Sequence, residues 1–119
     1  ILISSLFLSL NKYKNLQLPI SSTEYSKNIY WVYGIVINDK KLNAEDVINF
    51  LREQKIGCRP FFYPIHKQPV LKKMGLFKGL KFPVADKISK KGFYVPSGLN
   101  LTEDQILTVS NNIKKFFNN

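Results

Sequence analysis

The sequence predicts a small α+β domain, with a few-stranded, mainly antiparallel sheet and helices packed on one face. Three observations carry that expectation. Ile29-Tyr-Trp-Val-Tyr-Gly-Ile-Val-Ile37 is a nine-residue run rich in β-branched and aromatic residues. Ala44, Val47, Ile48 and Leu51 recur at the spacing of one helical face. Thr102 and Gln105 form a capping box ahead of a second apolar face.

Taken in order, the opening Ile1 to Leu10 is apolar, about half the length of a membrane span, and lacks an initiating Met, a basic n-region and a small-residue cleavage site. We expect residues 1–17 to be the end of a helix leading into the domain, with an atypical start, and residues 18–119 to be the domain proper. The run from Ile29 to Ile37 is apolar on both alternating faces, which predicts a central strand. Gly34 within it marks a bulge or a place where another group approaches closely. A helix follows over residues 43–55, with Asn43 at its cap, Glu45 and Asp46 at the positive end of its dipole, and Gly57 as the left-handed residue that ends it.

Cys58 to Tyr63 reads as a short extended run pushed to the sheet edge by Pro60 and Pro64. From Pro64 to Lys91 no period is visible and Pro64, Pro69, Gly75, Gly79 and Pro83 punctuate the chain. A long surface loop is expected there, with a helical turn or two near residues 82–89 and a short strand at Gly92 to Pro96. The helix that begins at Thr102 places Ile106, Val109, Ile113 and Phe116 on one side, with Leu101 and Ile106 as a hydrophobic staple.

Composition narrows the functional classes. With 119 residues, 45% hydrophobic and 22% charged, the chain suits one globular domain. Cys58 is the single cysteine, which excludes an internal disulfide and fits a reducing, cytoplasmic setting. No apolar stretch is long enough to span a membrane. The net charge of +10 raises nucleic-acid binding, with Phe61 and Tyr63 as stacking residues, but sixteen of the eighteen basic residues are lysines and only Arg52 and Arg59 are arginines. A lysine excess fits a solvated surface better than base and phosphate recognition, which tends to use the arginine fork. Between Lys67 and Lys91, eight lysines face Asp86 alone, a balance that attracts anionic ligands.

His66 is the only histidine, so sites needing two imidazoles are excluded, and no glycine-rich phosphate loop is present. The dense segment is Arg59-Pro-Phe-Phe-Tyr-Pro-Ile-His66. An arginine that can fork onto a phosphate or carboxylate, rings that can flank a planar group and a histidine that can exchange a proton would make the wall of an anionic-ligand pocket. The same residues also fit a plain edge strand whose alternate aromatics enter the core while Arg59 pairs with a surface acid.

The blocks Tyr30 to Ile37, Arg59 to Pro69, Phe82-Pro-Val-Ala-Asp86 and Gly92 to Ile106, in that order and spacing, resemble the C-terminal region of the DegT/DnrJ/StrS aminotransferases. Within that family the form Arg-Pro-Phe-Phe-Tyr-Pro-x-His most resembles the perosamine-synthase-like enzymes. The resemblance implies the C-terminal small domain of a fold-type-I, pyridoxal-phosphate-dependent sugar-nucleotide aminotransferase. Such an enzyme moves an amino group, commonly from glutamate, to a keto sugar on a nucleoside diphosphate, such as GDP-4-keto-6-deoxymannose, and generally works as a homodimer with shared sites. It implies substrate-binding roles for Arg59, toward an anionic group, and for Tyr63 and His66, as pocket lining and hydrogen-bonding groups. It also implies a pull of the basic loop on the substrate's diphosphate, and a structural role for Tyr94, Pro96 and Ser97. The Schiff-base lysine motif, which belongs to the large domain, is absent, so this chain alone is not expected to bind the cofactor or to transaminate. A pyridoxal-phosphate-dependent ketosugar dehydratase of the same fold remains the alternative.

Overall fold

The computed structural model describes residues 3 and 7–118. Part of the opening segment expected to end a helix, residues 1, 2 and 4–6, therefore lies outside the described residues; Ile3 and Phe7 are helical and Leu8–Leu10 form one 3₁₀ turn. Phe7 and Leu10 are fully buried, and Ser9 Oγ lies 3.2 Å from the buried Ser110 Oγ of the last helix, so this segment is anchored in the core.

Four antiparallel strands make the sheet: β1 (Leu16–Gln17), β2 (Tyr33–Ile37), β3 (Arg59–Pro60) and β4 (Gly92–Val95), in the order β1-β2-β4-β3. The β2 strand is central, as its two apolar faces predicted, but it starts at Tyr33 rather than Ile29. Tyr30 adopts φ +51° and its N–H bonds the Asn28 carboxamide oxygen at 2.7 Å, which turns the chain before the ladder begins. Ile29 and Trp31 are left exposed. An aromatic run carries strand propensity, and here a side-chain-to-backbone bond overrides it.

Register sorts the side chains onto two faces. Tyr33 pairs with Val95, Ile35 with Phe93 and Ile37 with Leu16, and all six are buried in the core. Gly34 pairs with Tyr94, Val36 with Gly92 and Arg59 with Tyr94, so these residues share the opposite face. On that second face the Phe61 ring lies across both glycines. A Cβ on Gly34 would sit 2.6 Å from Phe61 Cζ, and one on Gly92 would sit 2.4 Å from Phe61 Cδ2 and 2.5 Å from the Ile88 carbonyl oxygen. The close approach expected at Gly34 is thus an aromatic ring.

Four α-helices follow among the described residues: α1 (Ala44–Glu53), α2 (Pro69–Lys73), α3 (Pro83–Lys91) and α4 (Glu103–Asn118). In α1 the Asn43 N–H donates to the Asp46 carboxylate at 2.7 Å, and Ala44, Val47, Ile48 and Leu51 are buried as their spacing requires. Its C-terminus departs from expectation. Lys55, at φ +61°, is the left-handed residue, and Ile56 N–H to Leu51 O with Lys55 N–H to Arg52 O closes a Schellman motif. Gly57 falls two residues late. In α4 the Thr102 N–H donates to the Gln105 side chain and the Gln105 N–H to Thr102 Oγ1, which is the predicted capping box. Ile106, Val109 and Ile113 enter the core.

The helical turn or two expected near residues 82–89 is the nine-residue α3, while the 3₁₀ turn Ile65–Lys67 and α2 stand where only a loop was expected. Pro69 and Pro83 stand at the first turns of α2 and α3, where a missing N–H costs no hydrogen bond. A helix opened by proline without a side-chain cap gives little warning in sequence. Lys91, at the end of α3, donates from Nζ to the carbonyls of Asp39 and Leu42, which ties α3 to the turn after β2.

Candidate functional site

The segment from Arg59 to His66 begins as β3 and leaves the sheet at once. The Phe61 N–H donates to the Gly92 carbonyl at 3.1 Å, which is the last sheet bond before Pro64 and the 3₁₀ turn Ile65–Lys67. Arg59 is exposed on the non-core face of the sheet beside Tyr94, and no acid is within ion-pair distance of it among the described residues. It lines a shallow cleft of about 220 Å³ with Val32, Gly57, Tyr94 and Ser97. The rings of Phe61 and Phe62 each lie 6.5 Å from that of Tyr94, so an aromatic group stands next to a free guanidinium. Phe62 and Tyr63 themselves are exposed. The plain reading, in which alternate aromatics enter the core and Arg59 pairs with a surface acid, does not hold: the Phe61 ring covers the second face rather than joining the buried cluster, and Arg59 has no such acid among the described residues.

His66 belongs to a different cleft. Its Nε2 lies 2.9 Å from Asp86 Oδ1, its ring packs on Phe82 with centroids 4.8 Å apart, and only 12% of its side chain is exposed. Lys67 Nζ reaches the same Asp86 oxygen at 2.7 Å. An ionised Asp86 makes Nε2 the donor, so that nitrogen is already committed. This cleft, about 570 Å³, is bounded by Lys72, Lys78 and Lys81 and by the turn after α2. The structure therefore separates Arg59 from His66 into two clefts, and Tyr63 lines neither. Asp86 is the site residue that sequence reasoning missed. It stood out as the only acid among eight lysines, but its partners lie about twenty residues away, and nothing local signals the contact.

The Lys67 ammonium, followed by the His66 ring, holds the Asp86 carboxyl below the usual carboxylate range. Because its folded-state pKa lies below its unfolded one, the stabilisation is complete above the ordinary carboxylate range and is lost as pH falls through the folded value. Asp86→Asn should therefore flatten the acid limb of the stability curve when urea unfolding is followed from about pH 7 to pH 3. Parallel curves for the two proteins would mean that the cluster contributes nothing to stability.

The site is thus an arginine with aromatic groups on one cleft and a lysine-rich second cleft, both carried by a four-stranded antiparallel sheet packed with helices. The chain belongs to the DegT/DnrJ/EryC1/StrS aminotransferase family, whose sequence pattern matches residues 3–114. It is 31% identical over 90 residues to the GDP-perosamine synthase of Vibrio cholerae, a match covering 75% of this chain and 24% of that protein. It is 27% identical over 107 residues to the GDP-perosamine synthase of Escherichia coli O157:H7, covering 87% and 28% respectively. Among solved structures, the aminotransferase TlmJ from Streptoalloteichus hindustanus superposes with a TM-score of 0.82 at 13% identity, over 98% of this chain and 30% of that one. The chain thus spans about a quarter of the length of the curated relatives it matches.

Pyridoxal phosphate is the cofactor of this family. The described residues do not by themselves fit it: no lysine and no acidic residue is buried, Lys67 is paired to Asp86, and Lys91 is spent on two carbonyls. An amine poised to form a Schiff base needs a desolvated setting that lowers its pKa, and a pyridinium nitrogen needs a sequestered carboxylate. Among the described residues no helix is long and apolar enough to cross a membrane.

Proposed function

We propose that this chain is the C-terminal small domain of a cytoplasmic, homodimeric aminotransferase that moves an amino group from glutamate to a keto sugar carried on a nucleoside diphosphate, with GDP-4-keto-6-deoxymannose as the model substrate. The observation that carries this reading is the family match across residues 3–114, together with two relatives named as GDP-perosamine synthases. Pyridoxal phosphate, when bound in the remainder of the enzyme, supplies the electron sink and carries the amino group between donor and acceptor.

In this reading the chain binds and orients rather than reacts. Arg59, exposed beside Tyr94, meets an anionic group of substrate or of the neighbouring subunit with its two-pronged guanidinium. Tyr63, exposed and outside both clefts, offers its hydroxyl for a hydrogen bond to substrate or to the neighbouring subunit. His66, fixed by Asp86 and Phe82, lines the second cleft and holds its shape. Residues 1–17 lead into the domain from the larger part of the enzyme.

The test is complementation. The coding segment is joined to the large domain of a GDP-perosamine synthase in place of that enzyme's own small domain, and amination of GDP-4-keto-6-deoxymannose with glutamate as donor is followed by mass spectrometry. Turnover by the hybrid is expected, and Arg59→Ala should lower kcat/KM by about tenfold or more, as loss of a charge-assisted contact does. A soluble, folded hybrid without turnover would contradict the reading.

A further inference from the structure

The cleft beside His66 holds a polar atom that the fold leaves unused. Of the two ring nitrogens, Nε2 lies 2.9 Å from Asp86 Oδ1. Nδ1 makes no hydrogen bond among the described residues, and among them no buried side-chain nitrogen or oxygen lacks a partner. Nδ1 therefore reaches solvent, although only 12% of the side chain is exposed. It opens on the cleft of about 570 Å³ that the ring helps to line.

The ring is not free to turn. Phe82 packs on it with centroids 4.8 Å apart and 44° between the planes. His66 stands in the middle of the 3₁₀ turn Ile65–Lys67, which is closed by Lys67 N–H to Pro64 O and Gln68 N–H to Ile65 O. Asp86 is held as firmly. It belongs to the first turn of α3, its N–H donates to the Phe82 carbonyl at 3.0 Å, and Lys67 Nζ reaches the same Oδ1 that faces His66. Ring, carboxylate and ammonium are thus fixed against one another.

An ionised carboxylate only accepts, so the proton of the neutral ring must sit on Nε2 and the lone pair on Nδ1. That placement bears on what the cleft can recognise. The charged side chains lining it are Lys67, Lys72, Lys78, Lys81 and Asp86, four donors to one acceptor, and Lys67 already neutralises Asp86. Nδ1 adds an uncharged acceptor without a partner, which suits a ligand group that donates.

We propose that Asp86 is a positioning residue that holds the His66 proton on Nε2, so that Nδ1 meets a hydroxyl of the ligand as a hydrogen-bond acceptor. The inference deepens the proposed function by giving Asp86 a role and His66 a direction, and it rests on that reading for the ligand, a sugar nucleotide rich in hydroxyls. Without Asp86 the ring samples both tautomers, and the form protonated on Nδ1 offers one more donor to a cleft that already has four.

The pairing is tested first on the 119-residue chain labelled with ¹⁵N-histidine, whose single imidazole gives one pair of ring signals. At about pH 9, above the ordinary histidine range, the parent should show an unprotonated Nδ1 and a protonated Nε2. Asp86→Ala should draw the two signals toward each other as both tautomers become populated. Asp86→Asn, of the same shape but able to donate as well as accept, should move them in the same direction. Recognition is tested in the hybrid enzyme described above. His66→Asn, whose amide oxygen can stand where Nδ1 stands, should lower kcat/KM by about threefold, and His66→Gln, whose amide reaches toward Nε2, by about tenfold. Asp86→Ala should follow His66→Gln, with the loss in KM rather than kcat. The proposal is overturned if Nδ1 carries the proton in the parent, if neither Asp86 variant moves the ring signals, or if His66→Asn loses as much as His66→Gln. A parent hybrid without turnover counts against the proposed function, while the ring signals, which need no other domain, still decide the pairing.

Discussion

Gly92→Ala is expected to lower the melting temperature by about 10 °C, corresponding to a loss of about 3 kcal/mol. The added methyl would meet two obstacles, the Phe61 ring at 2.4 Å and the Ile88 carbonyl oxygen at 2.5 Å. A ring can tilt, but a carbonyl at the end of α3 moves only with its helix. Gly34→Ala meets the Phe61 ring alone, at 2.6 and 2.9 Å, and should cost less. The comparison can be sharpened with Phe61→Ala, which should relieve most of the strain of Gly34→Ala and only part of that of Gly92→Ala. A Gly92→Ala protein that melts with the parent would show that α3 does not abut the sheet as described.

Phe93→Ala should be of similar size, costing about 3–5 kcal/mol, a large share of the 5–15 kcal/mol that holds a domain together. Phe93 is fully buried, sits in β4 between β2 and β3, and pairs with Ile35 on one side and Pro60 on the other. Neither neighbouring strand can collapse into the space without breaking its ladder. Phe93→Leu should cost less than about 1.5 kcal/mol, and Phe62→Ala, at a ring 72% exposed, should stay within about 0.5 kcal/mol of the parent. Equal losses at Phe93 and Phe62 in urea unfolding would refute the assignment of faces.

These two sites show what the sequence made legible. A helix announces itself locally, and α1 and α4 were readable because their caps and apolar faces lie within a few residues of one another. Gly34 was readable as a place of close approach because a glycine inside a β-branched run has few other uses. The identity of the approaching group was not, since Phe61 reaches Gly34 and Gly92 across two strand crossings. The same holds for His66 and Asp86, brought together by the ends of separate segments. Local rules also failed where two signals competed: Tyr30 leaves the strand to satisfy Asn28, and Lys55 takes the left-handed position that Gly57 would have filled more easily. The lysine-rich cleft was visible as charge, but the turn after α2 that bounds it belongs to backbone geometry, which composition does not encode.

The sheet order carries a last consequence. Both outer strands, β1 and β3, are two residues long, and β3 consists of an arginine and a proline. A growing fibril or a second sheet needs a flat row of free donors and acceptors to extend, and these borders offer almost none: Pro60 has no N–H, and a charged Arg59 stands beside it. The strongly β-forming strands β2 and β4 are confined to the interior of the ladder. The domain should therefore resist edge-to-edge aggregation during synthesis and refolding, even though its central strands are among the most amyloid-compatible stretches of the chain.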